Sequence, residues 1–111
     1  MDKEKIRDKL LELGFSPANR GFEYIVEALC LIDEDKSRAN RIVSEIYGEI
    51  GRNHKTNYAA VERCIRSILK SAMASCAEQI QGFVKLPPAA ASGSYKCGDF
   101  LASFYLAMKR E

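Results

Sequence analysis

Three basic side chains at helical spacing are the first residues of this sequence whose types could act together on a ligand. They are Arg63, Arg66 and Lys70, within KTNYAAVERCIRSILKSAM over residues 55–73. At about 100° per residue of a helix, these three side chains share one side. The opposite side carries an aliphatic stripe, made of Val61, Ile65, Ile68, Leu69 and Ala72. The stripe predicts a core-facing anchor, and the basic side is either an ordinary solvated face or a surface for an anionic partner.

The distribution of charge along the chain favours a partner surface. The net charge of the 111 residues is only +2. Residues 1–50, however, hold 8 basic and 11 acidic side chains, whereas residues 51–111 hold 9 basic and 4 acidic ones. Between Arg52 and Lys70, five basic residues stand against Glu62 alone. One end of the molecule is therefore expected to be positive, which suits an anionic partner.

Groups that could perform catalysis or bind metal are sparse. The single histidine, His54, has no glycine-rich phosphate loop and no cluster of metal ligands beside it in the sequence. We therefore expect no enzyme, no cofactor and no metal site. The cysteines at positions 30, 64, 76 and 97 form no CxxC pair. The first three lie among aliphatic residues and are expected to be buried free thiols, whereas Cys97 stays unassigned.

Length and composition predict one soluble domain. A chain of 111 residues with 47% hydrophobic and 29% charged residues is typical of a globular protein with a single core. No apolar run approaches the roughly 20 residues that a membrane-spanning helix needs. The charged start MDKEKIRDKL is unlike a signal peptide. We therefore expect a cytoplasmic protein without a membrane partner.

Apolar residues recur at helical rather than strand spacing, which predicts an all-α fold of about six helices. The expected helices cover about residues 2–13, 17–32, 37–46, 47–53, 57–77 and 99–109. Ser16 followed by Pro17 is expected to start the second helix, and Ser37 to cap the third. The fifth helix is expected to be capped by Thr56 or Asn57. An irregular connection around Pro87 and Pro88 is expected before the last helix.

Residues 47–73 have the organisation of a helix-turn-helix. A short helix is followed by the polar turn His54-Lys55-Thr56-Asn57 and by a second, amphipathic helix. In such motifs the second helix lies in the major groove of DNA. Ala59 and Ala60 would permit a close approach of that helix to a partner. Gly51 would similarly let the two helices pack closely.

The segment IYGEIGRNHKTNYAAVERCIRSIL resembles the DNA-binding effector domain of the sporulation master response regulator of spore-forming Firmicutes. In that family a Tyr-Pro-x-Ile-Ala segment leads to a Thr-rich turn and then to Val-Glu-Arg-x-Ile-Arg. LGFSPANRGFEYIVEA is similar to its Gly-x-Pro-Ala and Lys-Gly-Tyr-x-Tyr segment, and CGDFLA to its Asn-Ser-Glu-Phe-Ile-Ala. The resemblance covers nearly the whole chain and implies a single domain over residues 1–111. The matching positions of the first segment are Tyr47, Ile50, Thr56, Val61, Glu62, Arg63, Ile65 and Arg66.

The resemblance implies a transcription regulator of sporulation, the effector domain of a two-component response regulator, with double-stranded DNA at promoter elements as its partner. It carries base reading in the major groove over to Glu62, Arg63 and Arg66. Arg can donate two hydrogen bonds to guanine, and Glu can accept one from cytosine. The residues suited to contacts with the DNA backbone are Lys55, Thr56, Asn57 and Lys70. Binding as a homodimer or in tandem, and contact with RNA polymerase, stay open.

The chain departs from the family pattern at several positions. Gly48 stands where the family commonly has proline, and Ala59 and Ala60 replace more polar residues, so affinity or sequence preference is expected to differ. The family's receiver domain is absent from these 111 residues, which indicates either an excised effector domain or a stand-alone relative. The alternative function is a helical protein-interaction module without DNA binding. Such a module would keep the apolar stripe but would not need Arg63 and Arg66.

Overall fold

The computed structural model describes residues 1–85 and 96–111. Within these ranges the chain is helical and contains no strand, which confirms the predicted all-α fold. Five α-helices are joined by a 3₁₀ segment and a π segment, close to the expected six helices. In chain order they are α1 (Lys3–Glu12), α2 (Arg20–Glu34), the 3₁₀ segment (Lys36–Asn40), the π segment (Ile42–Tyr47), α3 (Gly48–Asn53), α4 (Tyr58–Val84) and α5 (Cys97–Arg110).

The start of α2 differs from the prediction. The expected start at Ser16 and Pro17 is wrong, because the chain makes a further turn and α2 begins at Arg20. The cap is Asn19, whose side-chain oxygen accepts a hydrogen bond of 2.8 Å from the Gly21 amide. Asn is as good a cap as Ser in this role, so the residue types alone did not separate the two positions.

The predicted helix over residues 37–46 is broken in the structure. Asp35, rather than Ser37, caps the 3₁₀ segment by accepting from the Ser37 amide. The backbone leaves helical geometry at Arg41, with φ of −131°. After this break the π segment changes the number of residues per turn. Residues at 3.6 spacing therefore separate: Ile46 is buried, whereas Val43 is 43% exposed.

Helix α4 is longer than predicted. It was expected to end near Ala77, but it continues to Val84 through an irregular backbone at Cys76, with φ of −133°. The irregularity shifts the phase of the helix, and Ile80 and Val84 return to the core beyond it. Lys85 ends the helix in a left-handed conformation with φ of 54°. The predicted Pro87–Pro88 connection lies outside the described residues.

The core is formed where α2, α4 and α5 meet. Helix α4 lies against both α2 and α5, and α1 packs on α2. Helices α2 and α4 approach closely at Gly21, where an added Cβ would lie 2.4 Å from the backbone oxygen of Cys64 and 2.7 Å from Cγ2 of Ile68. From α5, Phe100 and Phe104 contribute fully buried rings. Among the residues that the structure describes, no helix is long and apolar enough to cross a membrane.

Asp33, near the end of α2, ties this helix to α5. Its carboxylate accepts hydrogen bonds of 2.8 Å from the amino group of Met1 and 2.8 Å from the hydroxyl of Tyr105. These two donors, the amino group first, lower the pKa of Asp33 to about 2. The ionised carboxylate therefore holds the second half of α5 against the end of α2.

Candidate nucleic-acid interface

The turn between α3 and α4 is built by backbone hydrogen bonds and one side-chain cap. The His54 amide donates to the carbonyl of Ile50 (3.1 Å), and the Thr56 amide donates to the carbonyl of Gly51 (2.8 Å). Of the two predicted caps, Asn57 is the one used, because its side-chain oxygen accepts a 2.9 Å hydrogen bond from the amide of Ala60. These hydrogen bonds thus fix the direction of α4 relative to α3.

Gly51 allows the turn to fold back on α3. A Cβ at this position would lie 2.9 Å from the backbone oxygen of Thr56 and 3.2 Å from the carbonyl carbon of Asn57. The prediction of a close approach at Gly51 is confirmed, but the contacted atoms belong to the turn rather than to α4 itself. Lys55, inside the turn, adopts a left-handed conformation with φ of 56°, and its side chain is exposed.

The apolar stripe of α4 anchors the helix as predicted. Its five members are exposed by 3% or less: Val61, Ile65, Ile68, Leu69 and Ala72. On the opposite side Arg63, Arg66 and Lys70 are exposed, whereas Glu62 is half-buried. The predicted division of this helix into a core face and a basic outer face is therefore confirmed.

Glu62 and Arg66 form an ion pair along the helix at i,i+4 spacing. The Arg66 side chain stays 60% exposed and that of Glu62 30%. Such pairs stabilise a helix by only about 0.2–0.5 kcal/mol, so a polar ligand can replace this contact at little cost. Arg63 forms no ion pair with any residue that the structure describes. The three predicted base-reading residues therefore lie on one surface. Glu62 and Arg66 are paired with each other, whereas Arg63 is free to contact a ligand.

The predicted backbone-contacting residues fall into two groups. Lys55, Thr56 and Asn57 are exposed in the turn, and Lys70 is exposed one helical turn beyond Arg66. Because the side-chain oxygen of Asn57 is occupied by the cap, only its amide NH₂ remains to donate to a phosphate. The two groups lie at opposite ends of the outer face, about 20 Å apart at a rise of 1.5 Å per residue.

His54 fixes the turn to α2, a role that the sequence did not indicate. Its Nε2 contacts the carboxylate of Glu27, and its ring lies edge-on to that of Tyr24 with 5.1 Å between the ring centres. The two partners come from 27 and 30 positions earlier in the chain. The spacing of neighbouring residues in the sequence cannot indicate a contact between residues this far apart in the chain. The side chain of His54 is thus engaged in holding the turn between α3 and α4 against α2.

A cleft beside Arg66 is bordered by the π segment and the start of α5. Cys97, left unassigned from the sequence, is 5% exposed there, next to Tyr47. Burial raises the pKa of both the Cys97 thiol and the Tyr47 hydroxyl, so both groups stay neutral at pH 7. The expectation of burial for the other cysteines is only partly right: they are free thiols but half-buried, at positions 30, 64 and 76.

Comparison with known proteins adds one family match. The family model described as sporulation initiation factor Spo0A, C terminal, matches residues 6–106. The match covers nearly the whole chain, including the turn and the outer face of α4. No curated protein matches the chain at a significant level.

Proposed function

Because this chain belongs to the family of Spo0A C-terminal domains, sporulation-related DNA-binding effector domains of response regulators, we propose that it regulates transcription by binding specific double-stranded DNA sequences. In this proposal α4 enters the major groove, and the turn before it rests on the backbone. DNA at promoter elements is the partner.

The observation that carries the proposal is the outer face of α4. Its basic side chains are exposed, and the helix that bears them is held rigidly by the buried stripe on its other side. A recognition helix needs this combination, since side chains must meet base edges from a fixed backbone. An ordinary solvated face has no requirement for the glycine-dependent turn that precedes the helix.

We assign the polar residues of the interface by their chemistry. Arg63 and Arg66 donate paired hydrogen bonds to guanine O6 and N7, and Glu62 accepts one from cytosine N4. When DNA binds, Glu62 and Arg66 exchange their mutual contact for contacts with bases. The backbone contacts come from Lys55, Thr56, Asn57 and Lys70, which position α4 without reading sequence.

The decisive experiment is selection of binding sites from a pool of random DNA duplexes, followed by fluorescence anisotropy at several salt concentrations. We expect an enriched motif whose positions give the half-site number and spacing. With Lys55 and Lys70 as two phosphate contacts, log K should fall against log salt with a slope of about −2 or steeper. A chain that retains no duplex at low salt would instead be a protein-interaction module on the same helical scaffold.

A further inference from the structure

Tyr58, the first residue of α4, differs from every other tyrosine and phenylalanine that the structure describes. Its side chain belongs to a residue that is 53% exposed, whereas the other described tyrosines and phenylalanines are buried or half-buried. Its hydroxyl has no hydrogen-bond partner within residues 1–85 and 96–111. Since the ring contributes so little to the core, its place on the surface needs an explanation from its neighbours.

Tyr58 extends the row of base-reading residues toward the beginning of α4. Residues 58, 62 and 66 follow one another at i,i+4 spacing and lie on one side of the helix. At 1.5 Å per residue the row is about 12 Å long, which is close to the 12 Å width of the major groove. If Glu62 and Arg66 meet base edges, Tyr58 stands where the groove ends and the phosphate backbone begins.

The surroundings of Tyr58 suit a phosphate group. Lys55 and Thr56 are exposed just before it, and the first turn of α4 contains no acidic residue. The carboxylate next along the row, that of Glu62, is paired with Arg66. Ala59 is a small neighbour that leaves room for a backbone to approach. A phosphate would therefore meet positive charge and hydrogen-bond donors here.

We propose that Tyr58 is an additional DNA contact, whose hydroxyl donates a hydrogen bond to a backbone phosphate while its ring covers the adjacent deoxyribose. This inference rests on the proposed function. Contacts to phosphate carry no sequence information, so Tyr58 strengthens binding without changing the preferred site. It provides an anchor beside Ala59 and Ala60, whose methyl groups cannot donate to phosphate.

The test compares Tyr58→Phe and Tyr58→Ala with the unchanged chain by fluorescence anisotropy, on the selected duplex and on a scrambled duplex. Loss of one hydrogen bond to a charged acceptor should raise Kd by about 10-fold in the phenylalanine variant. Loss of the ring as well should raise it by about 30-fold or more in the alanine variant. For each variant, Kd should rise by the same factor on the selected duplex and on the scrambled duplex. Leu106→Ala is the matched control, because Leu106 is 57% exposed on α5 and its loss should leave Kd unchanged.

The outcomes separate this inference from the function on which it rests. If the unchanged chain binds no duplex, both the proposed function and the Tyr58 contact are wrong. If the unchanged chain binds DNA and both Tyr58 variants bind it with the same Kd as the unchanged chain, only the Tyr58 contact is wrong. If the phenylalanine variant behaves as the unchanged chain while the alanine variant alters one selected base, the ring reads a base and the phosphate contact is overturned. Circular dichroism checks that each variant stays folded.

Discussion

Replacing Arg63 or Arg66 by alanine should separate DNA recognition from folding. Arg63 is exposed and lacks an ion pair among the described residues, so its loss should change the free energy of unfolding by less than about 0.5 kcal/mol. Arg66→Ala removes the pair with Glu62, worth about 0.2–0.5 kcal/mol, and the contact of Arg66 with the Cys97 thiol. Loss of a bidentate contact to guanine costs about 1–3 kcal/mol, which is about 5- to 150-fold in Kd.

Because Arg66 is ion-paired with Glu62 and Arg63 has no such pair among the described residues, the two substitutions should weaken DNA binding by unequal amounts. With the proposed base contacts, DNA binding by the unchanged chain breaks the contact between Glu62 and Arg66, whereas Arg66→Ala removes that cost beforehand. For base contacts of equal strength, Arg66→Ala should therefore weaken binding less than Arg63→Ala, by a factor of about two at most. Measuring Kd on the selected duplex and on duplexes with single guanine substitutions tests this order.

A control on α5 guards against a general effect of charge. Helix α5 begins beside Arg66 and runs 14 residues to the exposed Arg110, about 20 Å away. Arg110→Ala removes the same charge and should leave base preference unchanged. The assignment of base reading would be refuted if Arg63→Ala and Arg110→Ala weakened all duplexes alike.

Three further predictions concern the backbone contacts and the fold. Lys55→Gln and Lys70→Gln should each weaken binding to all duplexes and reduce the salt slope by about 1, measured by anisotropy. Gly21→Ala should lower the free energy of unfolding by about 1–3 kcal/mol in thermal unfolding, because its Cβ would lie 2.4 Å from a backbone oxygen of α4. Gly82→Ala is the control: a Cβ there would have no atom within 4 Å, so this variant should be slightly more stable. Asp33 has a pKa lowered from 3.8 to about 2, so its contribution to stability is present above pH 3.8 and is lost as the pH falls toward 2. The stability difference between the unchanged chain and Asp33→Asn should disappear over that interval, and a difference that persists at pH 1.5 would contradict this reading.

The part of the fold that could be predicted is the part with a long, uninterrupted period. In α4 the stripe from Val61 to Ala72 repeats at helical spacing over three turns, and every member is buried. The same regularity placed the basic residues on the outer side. Periodicity therefore predicted both faces of α4, because the geometry of one helix fixes the direction of both.

Prediction failed where the backbone changes its twist. At Arg41 and at Cys76 the chain departs from helical geometry, and beyond each point the phase of the apolar pattern shifts. An expectation based on 3.6 residues per turn then misassigns Val43 and ends α4 too early. The contact between His54 and Glu27 lies beyond local patterns altogether, because it depends on how α2 and the turn meet in space.

The arrangement of α4 separates recognition from stability within one short stretch of chain. Proposed base-reading residues and core residues alternate, with Glu62 and Arg63 lying between the buried Val61 and Ile65. The anchor holds the outer side chains in a fixed register, yet those side chains contribute almost nothing to folding because they lie in solvent. Under the proposed function, exchanges on the outer face should thus change the preferred DNA sequence without loss of the fold. Exchanges at Gly21 or Gly51 act in the opposite way: they keep every proposed DNA-contacting side chain, but the added Cβ would lie 2.4 Å or 2.9 Å from a backbone oxygen, which lowers stability.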